Sequence, residues 1–276
     1  MNEFDFTRPS QSEVYNANVA RLFFHANGQT RSVAAGNVLF KEGAGGDSMY
    51  FLASGDMALT RGGKPLDVIK AGEVLGEMSV LTGVPRSATA TAKSDCEVIE
   101  MSGQVFSGAI QKSPEFALML LAILIKRLRL ALAMQMLGKG AAGANEAIPT
   151  SGAVFDASLL QELTTNFPAR PPVYQPKNAV IMREGEAGIF MYVVIDGMVR
   201  ISVGEKVVEL VKAGGVFGEM ALVDQSKRAA SASAAADSNL MSINRNDFLT
   251  LIKTNPAFGL SLLKALANRL RNTGKK

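Results

Sequence analysis

The 276-residue sequence predicts a mainly β fold with flanking helices: two tandem, jelly-roll-like β-rolls, each followed by two C-terminal helices. Three observations predict it. Short apolar runs of strand length alternate with glycine turns, which indicates a sandwich or roll rather than a parallel α/β sheet. Each series of strands ends in helix-start signals. The chain also repeats itself at one offset: Gly43 and Gly185, Tyr50 and Tyr192, Gly55 and Gly197, Arg86 and Arg228, and Pro114 and Pro256 are each 142 positions apart. An ungapped correspondence from Lys41 to Arg129 means two copies of one fold.

In chain order, residues 1–29 form an N-terminal helical adapter, 30–136 the first roll, 137–172 a linker with a short helix and 173–276 the second roll. The adapter spaces its apolar residues like a helix from Glu13 to Phe24, and Asn27-Gly28 ends it. Val38–Phe40 and Met49–Leu52 read as buried strands. Met57–Arg61 and Pro65–Ile69 flank Gly62-Gly63, a hairpin turn in which both glycines need positive φ. Ala90–Ala92 and Glu97–Met101 add two strands. Ser102 caps one helix, and Pro114 opens the next at the position where its missing N–H costs nothing. From Phe116 to Met136 that helix is apolar on nearly every side, so both faces need cover. A homodimer through helix 116–136 is one expected way to supply it. In the linker Asp156 caps a short helix, and in the second copy Asn244 with Asp247 and Asn255 with Pro256 repeat the helix starts.

Composition excludes several classes. Hydrophobic residues make up 47% and charged residues 20%, a balance that buries real cores. The single cysteine, Cys96, rules out an intrachain disulfide and reads as a small buried residue of a strand. The single histidine, His25, removes the raw material for His/Cys zinc clusters and for most His-dependent catalysis. Acids at Glu3 and Asp5 do not suit a signal peptide. The apolar run Phe116–Ile125 is too short to span a bilayer. The expectation is a cytoplasmic protein. A net charge of +4 is only weak evidence for a polyanionic partner.

The chemistry concentrates in two stretches, Gly76-Glu77-Met78-Ser79 with Arg86-Ser87, and Gly218-Glu219-Met220-Ala221 with Arg228-Ala229. Backbone N–H groups at the start of a helical turn attract negative charge. An arginine fork binds a phosphate through parallel charge-assisted bonds. An ionised glutamate only accepts, so it needs a donor such as a sugar hydroxyl. Phosphate plus ribose hydroxyl describes a nucleotide.

These two stretches resemble the phosphate-binding cassette of cyclic nucleotide-binding domains, the family of the catabolite activator protein and of the regulatory subunits of cyclic-AMP-dependent protein kinase. The resemblance implies that Glu77 and Glu219 take the ribose 2′-hydroxyl and that Arg86 and Arg228 take the cyclic phosphate. The amides around Gly76, Met78, Ser79 and Ser87, and of Gly218, Met220, Ala221 and Ala229, would complete the cradle. Ser87 is compatible with cyclic AMP or cyclic GMP, whereas Ala229 leans towards cyclic AMP. Base contacts are poorer: ungapped extension puts Ala131 and Leu132, and in the second copy Thr273 and Gly274, where the catabolite activator protein offers Thr and Ser. No tryptophan supplies an aromatic lid.

Other readings fare worse. Ser261-Leu262-Leu263-Lys264 matches the Ser-x-x-Lys pattern of serine β-lactamases, but its companion motifs are imperfect and in the wrong order. No P-loop, dinucleotide fingerprint or metal cluster appears, so neither an enzyme nor a cofactor is expected. The chain stops at Lys276 without room for a DNA-reading helix, and no Arg-Arg pair marks a kinase-inhibitor segment. The expectation is a receptor for a cyclic nucleotide, cyclic AMP before cyclic GMP, that signals through a downstream protein. The alternatives are a scaffold with vestigial pockets, or a receptor for another nucleotide such as cyclic di-GMP.

Overall fold

The computed structural model describes residues 16–137, 148–166 and 171–273. The chain divides into two compact units, 1–120 and 121–276. In the first, α1 (Ala17–Asn27) leads into β1 (Gln29–Val33), β2 (Val38–Phe40), β3 (Ser48–Ser54), β4 (Asp56–Arg61), β5 (Lys64–Lys70) and β6 (Val74–Leu75). The short helix α2 (Glu77–Thr82) follows, then β7 (Thr89–Ala92), β8 (Cys96–Ser102) and α3 (Gly103–Ala109). The helix α4 (Pro114–Leu137) begins in the first unit and passes at Leu121 into the second. Two four-stranded antiparallel sheets, ordered β1-β8-β3-β6 and β2-β7-β4-β5, make the roll. Their inner faces bury Leu39, Tyr50, Leu52, Met57, Ile69, Leu75 and Val98 as one core.

The helical side of this unit is sealed by phenylalanines. Phe23 stacks on Phe116 at 3.8 Å between centroids, while Phe24 packs edge-on against Phe116 and stacks on Phe51. Helix α1 starts at Asn16, whose side chain accepts from the Asn18 N–H, and ends at Gly28. The helix expected over 13–24 is present from Ala17, with Asn16 as its extended cap, and runs to Asn27; residues 13–15 lie outside the described residues. Ser102 caps α3 by accepting from the Val105 N–H, as its position implied.

In the second unit, β9 (Thr150–Ser151) and α5 (Ala157–Asn166) precede β10 (Val173–Gln175), β11 (Val180–Met182), β12 (Phe190–Asp196), β13 (Met198–Val203), β14 (Lys206–Lys212) and β15 (Val216–Phe217). Then come α6 (Glu219–Asp224), β16 (Ser231–Ala234), β17 (Ser238–Asn244), α7 (Arg245–Thr254) and α8 (Pro256–Thr273). The sheets are ordered β10-β17-β12-β15 and β11-β16-β13-β14-β9. The repeat extends to irregularities: the bulges between Val38 and Phe40, Leu52 and Ser54, and Leu59 and Thr60 recur between Val180 and Met182, Val194 and Asp196, and Ile201 and Ser202. Glu42 accepts from the Gly62 N–H at the hairpin tip, and Glu184 does the same for Gly204. Both hairpin glycines of the first copy have positive φ, as expected.

The second copy carries an added strand. Strand β9 pairs in parallel with β14, and the Leu210 N–H donates to the Pro149 carbonyl, so the segment before α5 lies along the edge of the second roll. Asp156 caps α5 by accepting from the Leu159 N–H, and the neighbouring Phe155 stacks on Phe258 at 5.2 Å. This stretch, expected as a linker, is therefore built into the second unit's core.

Candidate functional site

Each cassette begins with a sharp change of backbone direction. Gly76 and Gly218 adopt φ of 78° and 80°, the left-handed region that suits a residue without Cβ. The turn drives the next residue inward: Glu77 is 1% exposed and Glu219 2%. Neither helix start carries a side-chain cap, so the first N–H groups of α2 and α6 have no partner from that source.

The arginines come back to the same place from the loop after the helix, and they too are buried, at 5% for Arg86 and 6% for Arg228. Arg86 Nη1 donates to the Gly76 carbonyl at 2.9 Å and to Ser79 Oγ at 2.7 Å. Its guanidinium lies 4.4 Å from the centroid of Phe40. Arg228 Nη1 donates to the Gly218 carbonyl at 2.7 Å and Nη2 to the Phe190 carbonyl at 2.6 Å. Ala221 stands where Ser79 stands in the first copy, so only the first arginine has a hydroxyl brace. Burial lowers the pKa of both guanidinium groups; Tyr50 and Glu77 offset part of this for Arg86, and Tyr192 and Glu219 for Arg228. An anion arriving at either fork would offset the rest.

Two polar atoms are buried without a hydrogen-bond partner among the described residues: Arg86 Nε and Glu219 Oε2. Such orphans are rare in folded proteins and need an explanation. One is a donor where the phosphate is expected, the other an acceptor where the ribose hydroxyl is expected. Met78, Met220, Ser87 and Ala229 lie half-buried beside these groups in sequence, as a cradle lined by backbone requires. The Ser87 carbonyl is held by Arg61 Nε at 2.9 Å.

In the second unit a cavity of ≈ 990 Å³ opens against Glu219, Arg228 and Ala229. Helix α8 contributes Asn268 and Thr273 to its wall, and α4 contributes Leu128 and Leu132. Thr273 is therefore at the second cavity as the ungapped extension placed it, while Gly274 lies outside the described residues. Leu132, placed by that extension in the first copy, lines the second unit's cavity instead.

Sequence reasoning missed three features around the cassettes. Arg269 on α8 donates from Nη1 to Glu219 Oε1 at 2.6 Å, from Nε to Glu209 Oε1 at 3.1 Å, and from Nη2 to the Val216 carbonyl. Burial alone would lower its pKa, but Glu209 and Glu219 more than offset this and hold the guanidinium above its usual range. Arg269 is therefore a buried ion-pair centre. The second feature is a pair of glycines. A Cβ on Gly46 would lie 2.6 Å from Arg86 Nε, and one on Gly188 2.7 Å from the Arg228 guanidinium carbon. Their 142-residue spacing was a usable signal in the sequence. The third is Arg129 of α4, which grips Asp224 at the end of α6.

Cys96 is buried in β8, as read, and His25 lies exposed on α1. No cluster of metal-ligand residues occurs among the described residues, and no helix among them is long and apolar enough to cross a membrane.

Comparison with known proteins agrees with this geometry. Residues 30–113 and 172–255, more than half of the chain, match the cyclic nucleotide-binding domain family. The chain is 38% identical over 101 residues to the cyclic AMP receptor protein of Thermus thermophilus, covering 35% of this chain and 47% of that protein. It is 25% identical over 225 residues to the cGMP-dependent protein kinase egl-4 of Caenorhabditis briggsae, covering 79% of this chain and 27% of the kinase. The chain thus spans about half or less of the length of these curated relatives. Among solved structures, the regulatory domain of Toxoplasma gondii PKA with cAMP is similar over 91% of this chain and 96% of that one, at 21% identity and a TM-score of 0.33. With two matched segments, each burying a cassette glutamate and arginine, the chain belongs to the cyclic nucleotide-binding domain family.

Proposed function

We propose that this protein is a two-site cyclic nucleotide receptor, with cyclic AMP preferred to cyclic GMP, and that it acts by binding rather than by catalysis. The observation that carries the reading is the pair of buried orphans, Arg86 Nε and Glu219 Oε2, each on a residue expected to grip one end of a phosphorylated ribose. A cyclic phosphate oxygen would accept from Arg86 Nε, and a ribose hydroxyl would donate to Glu219 Oε2. Ala229, with no hydroxyl beside the second phosphate position, supports the preference for cyclic AMP there. Occupancy would be passed on by the helices that touch the cassette, since Arg269 of α8 already shares Glu219 with the ligand position. A downstream protein would read that change, which requires differential ligand affinity for two helix arrangements.

Calorimetric titration with cyclic AMP, cyclic GMP and cyclic di-GMP tests the reading. The expected result is two binding events per chain with cyclic AMP the tightest. Absence of heat with all three would leave the scaffold reading in its place.

A further inference from the structure

Helix α6 ends differently from its counterpart. In the first copy the residue after the helix is Gly83, at φ 67°, with its N–H bonded to the Ser79 carbonyl. The second copy has Gln225 at that position, held at φ 54°. A non-glycine side chain in the left-handed region is strained and persists only where its surroundings over-determine it. The surroundings here are visible. Asp224, the last residue of α6, accepts from the Ser226 N–H at 3.0 Å. The same carboxylate is gripped by both arms of Arg129, from Nε at 2.5 Å and Nη2 at 3.0 Å. Both side chains are largely sheltered, at 24% and 18% exposure, so water screens the pair only in part. The first copy has Thr82 where Asp224 stands, beside a glycine that needs no such support.

The strained turn is the short path from α6 to Arg228, the residue expected to hold the phosphate. Leu128 and Leu132, on either side of Arg129 in α4, line the second cavity. Helix α4 lies outside both family-matched segments. We infer that Arg129 is a positioning residue of the second nucleotide site: by gripping Asp224 it holds the strained Gln225 turn and keeps Arg228 in its binding position. The inference rests on the proposed function for its ligand, but the brace itself exists without ligand.

The test uses the full chain in an Arg86→Ala background, so that calorimetry with cyclic AMP reads the second site alone. Arg129→Ala should weaken binding roughly 3- to 30-fold, within the range of coupling between residues of one charged network. Asp224→Asn keeps an acceptor for the Ser226 N–H but removes the charge. It should weaken binding similarly, and the double variant should be no weaker than the worse single. Gln225→Gly added to Arg129→Ala should restore affinity, because a glycine at that φ needs no brace; a merely structural role of Arg129 elsewhere predicts no such rescue. In unliganded protein, amides 219–228 should exchange faster in Arg129→Ala than in the parent. Unchanged affinity in Arg129→Ala, or no recovery with Gln225→Gly, overturns the inference. If the parent binds no cyclic nucleotide, the proposed function fails, and the exchange rates alone decide: unchanged rates overturn the brace and faster ones uphold it.

Discussion

Replacing Arg269 by alanine removes one guanidinium from between two carboxylates. Glu219 has a side chain 3% exposed and Glu209 one 16% exposed, so neither can recover much hydration when the arginine is gone. Three bonds are lost, to Glu219, Glu209 and the Val216 carbonyl, and two negative charges are left facing each other. Removing one partner of a buried ion pair costs about 3–5 kcal/mol, because the remaining charge is stranded. The expected destabilisation is therefore about 3–5 kcal/mol, confined to the second unit. Equilibrium urea unfolding, fitted to two transitions since a two-unit chain need not unfold in one step, measures it. One transition should move and the other should not. Adding Glu209→Gln and Glu219→Gln to Arg269→Ala should recover a large part of the loss, since buried amides carry no net charge to strand. A shift below about 0.5 kcal/mol in both transitions, the level of an ordinary surface substitution, would refute the argument that Arg269 is a buried ion-pair centre.

Arg86→Ala and Arg228→Ala should each weaken one of two binding events by about 2–4 kcal/mol, from charge-assisted bonds of about 1.5–3 kcal/mol each; calorimetric titration shows which event keeps its affinity. Gly188→Ala should displace Arg228, since the new Cβ would lie 2.7 Å from its guanidinium carbon. Second-site affinity should then fall while the first site titrates unchanged, and a normal second-site affinity would argue against the close approach. Gly46→Ala should show the mirror-image result, with its Cβ 2.6 Å from Arg86 Nε.

How much was readable in advance follows from which interactions are local. The Gly62-Gly63 hairpin, the Ser102, Asp156 and Asn244 caps and the turn that opens each cassette are set by neighbours a few positions apart, and the 142-residue repeat shows on comparing the chain with itself. Periodicity and turn chemistry report such neighbours directly. The cassette residues were legible for the same reason, because a left-handed glycine followed by a glutamate is a local device for turning a carboxylate inward.

The tertiary structure alone decided the rest. Arg269 finds Glu219 across 50 positions and Glu209 across 60, and Arg129 finds Asp224 across 95. No period or spacing specifies such pairs, since they depend on which face of α4 and α8 the second roll covers. The sequence by itself determined that two rolls would each present a glutamate and an arginine. Only the packed structure decided what else those groups touch: burial makes an ion pair's partner a matter of three-dimensional proximity, and the chain's linear order does not record it.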